Sequence, residues 1–219
     1  RGRGMSGGMF ALFGAVVLSG LYAALFCYRS KGLVSLLVKT GSTALLAVWA
    51  YLSGGPGLLV AALALSSLGD LFLAKEEERW LMPGMAAFFA AHVAYVILFF
   101  GLEAAPRGLL NTGAQLAVVF GGAFFVRWLS PWLGKMRPPV FAYAIVILVM
   151  GAAALRLDLA YLPVILGAIM FIASDMILSL QLFKKPADQP AGIVPSLAVW
   201  DLYFFGQLLI AWGVLNPLA

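Results

Sequence analysis

Charge is scarce in this chain: only 11% of its 219 residues are Asp, Glu, Lys or Arg. Soluble domains carry about 25%, and with 63% hydrophobic residues and a mean hydropathy of +1.02 the sequence cannot build an ordinary wetted surface. It reads as an integral membrane protein. Cysteine is nearly absent as well, and Cys27 alone excludes an internal disulfide and a cysteine-based zinc site. His92 is the single histidine, so no second imidazole exists to build a metal centre, and neither metal nor cofactor is expected. No signal peptide, soluble domain or low-complexity tail is legible, so the expectation is one transmembrane domain over 1–219. Arg1 to Gly4 precede Met5, read as an expression remnant, and receive no functional weight. The net charge of +5 is basic, yet most cations sit in short connections between apolar runs, where topology accounts for them. Nucleic acid is therefore not expected as a partner.

Apolar runs of about 17 to 25 residues, the length that crosses ~30 Å of hydrocarbon, predict eight helices. They cover approximately 9–28, 33–52, 57–74, 80–100, 109–129, 139–155, 159–182 and 197–216. The fold class is thus an all-α polytopic membrane bundle. Gly and Pro end most of these runs and charge ends the others. The weakest boundary lies between helices six and seven, where Arg156 and Asp158 are the polar markers and Pro163 reads as a potential kink. Odd-numbered connections hold Arg29, Lys31, Lys75, Arg79, Lys135, Arg137, Lys184 and Lys185, against Arg107 and Arg156 in the even-numbered ones. The positive-inside rule then places the odd connections in the cytoplasm and both termini outside, with Arg1 and Arg3 arguing weakly the other way. A multi-pass protein of a bacterial inner membrane is the expected setting.

Against that background two carboxylates stand out. Asp70 follows Ser66-Ser67-Leu68-Gly69, and Asp175 follows Phe171-Ile172-Ala173-Ser174, each inside an apolar helix. A membrane carboxylate costs about 2.5 kcal/mol or more, so it normally faces the bundle interior and finds a partner. At 1.5 Å per residue, Asp70 lies about 7 Å from Lys75, Lys39 about 12 Å from Lys31, Asp175 about 13 Å from Lys184, and Asp201 about 6 Å into helix eight. Four segments thus bring charge to the cytoplasmic half. One polar cavity open to that leaflet explains the agreement in depth, whereas four separately snorkelling charges would suit long side chains better than Asp.

Other polar residues accompany them. His92 falls near the middle of helix four with Tyr95 three residues on, on the same face, and reads as a lining residue. Tyr203 and Gln207 are one turn apart and mark a polar seam through helix eight, with an interhelical hydrogen bond as the plain alternative. Ser66 and Ser67 are placed to bond either the Asp70 carboxylate or their own helix backbone. Ser174 is the small residue directly before Asp175, as Gly69 is before Asp70.

A Gly-Asp on helix three, a His on helix four, a Ser-Asp on helix seven and a Tyr-x-x-x-Gln on helix eight, in that order and at those depths, resemble the YhhN/TMEM86 family of lysoplasmalogenases. The resemblance runs from Lys39 to Gln207. It implies a membrane hydrolase that cleaves the vinyl ether bond of a lysoplasmalogen, releasing a fatty aldehyde and glycerophosphoethanolamine or glycerophosphocholine. It also places Asp70 and Asp175 at the family's acidic, catalytic positions, with Lys39, His92, Tyr203 and Gln207 as pocket candidates, and the reading of the residues adds Ser66, Tyr95, Ser174 and Asp201 as substrate-binding candidates. The partners implied are a lysophospholipid substrate and membrane lipids. Oligomeric state is not legible.

The chemistry is consistent with such a site. Vinyl ether hydrolysis needs an acid to protonate the β-carbon, a carboxylate to stabilise the oxocarbenium ion, and a water to capture it. Two neighbouring aspartates, one keeping its proton, would supply the first two and orient the third. Lys39, Lys75 or Arg79 would hold the phosphate. Two rival classes remain. An intramembrane aspartyl protease needs Gly-x-Gly-Asp, where this chain has Ser67-Leu68-Gly69-Asp70, and a Tyr ahead of the second Asp, where it has Ser174. A proton-coupled transporter is the stronger rival, because helices three and seven carry similar x-Asp-x-x-Leu segments and hint at a four-plus-four repeat.

Overall fold

The computed structural model describes residues 2–28, 32–75, 77–106, 108–185 and 192–218, with the side chains of 2–6 left aside. Arg1, Arg29, Lys31 and Arg107, which entered the topology argument, lie outside the described residues, as does the Arg3 side chain. Among the described residues eight α-helices follow one another: α1 (Gly2–Leu25), α2 (Leu33–Leu52), α3 (Gly57–Leu73), α4 (Leu81–Phe100), α5 (Leu109–Leu129), α6 (Arg137–Leu155), α7 (Leu162–Ser179) and α8 (Ile193–Leu215). Seven are long and apolar enough to cross a membrane, and α3 is shorter at 17 residues. No strand occurs among the described residues beyond one isolated bridge between Ala104 and Leu157. The chain is a polytopic helical membrane protein.

Three boundaries differ from expectation for local reasons. Pro163 does not kink α7 but opens it: Asp158 accepts the Ala160 N–H at 2.9 Å, a short 3-10 turn follows, and Pro163 occupies the first helical turn, where its missing N–H costs nothing. Pro195 likewise sits in the first turn of α8, so the helix starts at Ile193 rather than 197, and its ladder is taken up by Ser196 N–H bonding Gly192 C=O at 3.1 Å. Beyond Ser179 the chain widens into a π-turn over Leu180–Lys184, closed by Lys185 N–H on Leu180 C=O at 3.1 Å.

The helices form two compact units, Arg1–Leu98 with Val214–Asn216, and Phe99–Gly213 with Pro217–Ala219. In the first, α1 packs on α2 and α2 on α3. The α2–α3 connection is a Schellman turn: Gly54 takes φ +73°, its N–H bonds Tyr51 C=O at 3.0 Å, and Gly55 N–H bonds Ala50 C=O at 2.8 Å. Pro56 then ends any continuation of the helix. Gly54→Ala places a Cβ in the left-handed region and is expected to cost about 1 kcal/mol, measurable as a lower thermal midpoint in detergent. Between α3 and α4, a Cβ on Gly69 would stand 2.5 Å from the Phe88 ring, so glycine there lets the ring seat directly beside Asp70's own backbone.

In the second unit α5 packs on α6 and α6 on α7. Helices α7 and α8 touch backbone to backbone. A Cβ on Gly206 would stand 2.9 Å from Gly167 C=O, and one on Gly213 2.9 Å from Val164 N. Small residues allow this approach where lipid gives helices no hydrophobic reason to associate. Gly206→Val is expected to cost about 1–3 kcal/mol by overpacking, with Ser42→Ala, on a hydroxyl that bonds its own helix at Lys39 C=O, as the mild control. A thermal melt of both in the same detergent checks the contrast.

Candidate functional site

In the first unit, Lys39 and Thr43 lie one turn apart on α2 and present a cation and a hydroxyl to the same side. Asp70 on α3 meets both. Lys39 Nζ stands 3.2 Å from Oδ1, and Thr43 Oγ1 donates to Oδ2 at 2.8 Å. The carboxylate is buried, at 1% exposure, and so is most of the Lys39 side chain. A buried charge is tolerable only when paired and hydrogen-bonded, and here each oxygen has its own donor. Neither serine takes the role expected of it: Ser67 Oγ donates across to Thr40 C=O at 3.0 Å, and Ser66 Oγ is buried with no hydrogen-bond partner among the described residues. Thr43, which sequence reasoning missed, supplies the hydroxyl instead. Its signal was available as the i, i+4 spacing from Lys39.

On α4, the same Phe88 that packs on Gly69 accepts a 2.6 Å hydrogen bond from His92. A carbonyl only accepts, so Nδ1 carries the hydrogen. His92 and Tyr95 are both fully buried. Lys75 lies over the Trp80 indole at 3.5 Å and Arg79 pairs with Glu77 at 2.7 Å, so these cations already have partners at the end of α3.

The second unit holds the other carboxylate. Tyr143 on α6 donates to Asp175 Oδ2 on α7 at 2.6 Å. Tyr143 was also missed, since a single tyrosine in an apolar run carries no periodic signal. Ser174 turns from the carboxylate and donates to Val199 C=O at 2.8 Å, tying α7 to α8. On α8, Tyr203 packs edge-on against Phe171 with centroids 5.3 Å apart, Gln207 is fully buried one turn on, and Asp201 is only partly buried. Among the described residues no group of three or more His, Cys, Asp or Glu is arranged to hold a metal.

Each unit thus presents an aspartate on its third helix to a hydroxyl on its second. A model of the YhhN family matches residues 34–214, from the start of α2 to the end of α8. The chain belongs to the YhhN family. Among its relatives, a protein of Mycobacterium tuberculosis named lysoplasmalogenase is 34% identical over 161 residues, 71% of this chain and 59% of that protein. Human lysoplasmalogenase TMEM86B is 31% identical over 173 residues, 75% of this chain and 66% of the relative. Human lysoplasmalogenase TMEM86A is 29% identical over 201 residues, 83% and 78% of the two chains. The chain therefore spans about three fifths of the length of the mycobacterial relatives it matches. No solved structure matches it. The family region contains every candidate residue named above, and also Thr43 and Tyr143.

Proposed function

We propose that this YhhN-family chain hydrolyses the vinyl ether bond of a lysoplasmalogen within the membrane, releasing a fatty aldehyde and a glycerophospho-amine. The observation that carries the reading is the Lys39–Asp70–Thr43 cluster, a buried carboxylate with a cation on one oxygen and a hydroxyl on the other. Its relatives' names supply the substrate. In this reading Asp70, held as the anion by Lys39, stabilises the positive charge that develops at the ether carbon. Asp175, facing a neutral phenol, delivers the proton to the β-carbon. Water adds to the resulting oxocarbenium ion, gives up a proton, and the hemiacetal collapses to aldehyde and alcohol. Ser66, His92 and Tyr95 of the first unit and Asp201, Tyr203 and Gln207 of the second are proposed substrate-binding residues, with Ser174 holding α7 on α8. The odd connections are proposed to face the cytoplasm, with substrate drawn from that leaflet.

The purified chain in detergent should release aldehyde from a lysoplasmalogen and none from the ester-linked lysolipid. In heavy-oxygen water the released glycerol hydroxyl should stay unlabelled, because the cleaved bond is on the alkenyl side. Labelled glycerol, or no release, overturns the proposal. A second reading draws on the matching Asp–hydroxyl pairs of the two units, a pattern suited to a proton-coupled carrier built of repeats. Substrate-dependent proton uptake by proteoliposomes, without aldehyde, would favour it.

A further inference from the structure

Arg137 and Lys184, which topology placed in odd-numbered connections, meet Arg127 of α5 around Ser130, Trp128 and Trp132. Arg127, in the last turn of α5, donates to Ser130 Oγ at 3.3 Å, and Arg137, at the start of α6, donates to Ser130 C=O at 3.2 Å. Two guanidinium groups from different helices are thus held on one buried residue. Lys184, in the π-turn after α7, lies over both indoles, 4.1 Å from the Trp128 centroid and 5.1 Å from that of Trp132. The indoles themselves are 5.4 Å apart and 41% and 44% exposed. Lys135 and Lys185 adjoin this group in sequence.

Among the described residues none of these five cations has a carboxylate within ion-pair distance. Each guanidinium uses one hydrogen bond on Ser130 and has further N–H donors to offer. Positive-inside topology requires cations on a connection, but it does not require three helix ends to converge or a lysine to be pinned on two indoles. Indoles at the end of a spanning helix belong at headgroup level, and arginines set in a fork bind phosphate with two parallel hydrogen bonds. We infer that this end of the second unit is a binding site for the phosphate headgroup of an anionic membrane phospholipid, with Arg127 and Arg137 on the phosphate, Lys184 beside it, and Trp128 and Trp132 against the glycerol and upper acyl chains. None of these residues belongs to the proposed vinyl ether chemistry, and the binding site stands whether or not the chain cleaves vinyl ethers.

The test uses the full chain in a neutral detergent, given phosphatidylglycerol or phosphatidylcholine with matched acyl chains, and reads bound lipid by native mass spectrometry. The expected result is at least a fivefold preference for phosphatidylglycerol that falls with added salt. R127Q/R137Q should reduce it to parity while leaving aldehyde release in the same detergent unchanged. Should that pair fail to fold, K184Q/K185Q is the second variant, with at least a twofold loss of preference expected. Equal binding of the two lipids by the wild-type chain overturns the proposal, as does undiminished preference in a folded variant. Glycerol phosphate, added at the same concentration as the lipid, should not compete. If it competes equally, the site takes free phosphates and the lipid assignment falls.

Discussion

Asp70→Asn is expected to lower aldehyde release by about a hundredfold or more, and to lower the thermal midpoint with it. The amide leaves Lys39 buried opposite a neutral partner, and breaking a buried ion pair from one side costs about 3–5 kcal/mol. The lower end applies, because the Lys39 side chain retains 16% exposure and some access to solvent or headgroups. Lys39→Met should destabilise comparably, since it takes the cation from a buried carboxylate and leaves the Thr43 hydroxyl in place. The double variant Lys39→Met/Asp70→Leu removes both charges and should recover most of the lost stability. It should recover none of the activity. Aldehyde release returning with stability would reduce Asp70 to a structural role and sink the proposed mechanism. Thr43→Val should cost about 1 kcal/mol, the net worth of a hydrogen bond, and only part of the rate.

Asp175→Asn should be nearly as damaging to the rate, about 10²–10⁴-fold for a lost general acid, with a much smaller change in the melt. Its identified partner is the Tyr143 phenol at 2.6 Å, and an amide oxygen accepts from a phenol as a carboxylate does. Tyr143→Phe keeps the acid but loses its orientation, so a rate loss of about tenfold is expected, on the scale of one hydrogen bond. If the two aspartates serve one reaction, Asp70→Asn/Asp175→Asn should be no slower than the worse single variant, because residues acting as a unit are non-additive. Rate losses that multiply would separate them into independent roles. Single-turnover aldehyde release with each variant gives the comparison directly.

Helices were legible because their signal is length: an apolar run that spans the hydrocarbon is long enough to count, and a Gly, Pro or charge ends it. Even so, the first turns of α7 and α8 were misplaced, since Pro163 read as a kink within helix seven and Pro195 as part of a break, although a helix tolerates proline where it needs no N–H. Depth along the helices was legible too. Lys39 and Asp70 were expected at one level, and they are in contact. The rotation of each helix about its own axis was not legible, and side-chain partners depend on it. That is why Ser66 and Ser67 were offered Asp70 or their own helix backbone, when Ser67 bonds Thr40 C=O and Thr43 holds the carboxylate, and why Tyr143 went unnoticed. An apolar helix in lipid carries little amphipathic contrast to fix its rotation.

The ion pair between α2 and α3 also constrains how the chain can enter the membrane. Inserted singly, α2 would bring an uncompensated Lys39 into hydrocarbon and α3 an uncompensated Asp70, each a penalty of about 2.5–3.5 kcal/mol on translocon scales, and α3 has only 17 residues with which to offset it. Joined by a four-residue Schellman turn that already reverses the chain, the two helices can cross as one hairpin with their charges neutralised against each other. Biogenesis of the first unit would then depend on both helices leaving the ribosome before either commits to lipid, and Lys39→Met/Asp70→Leu would free α2 to insert alone.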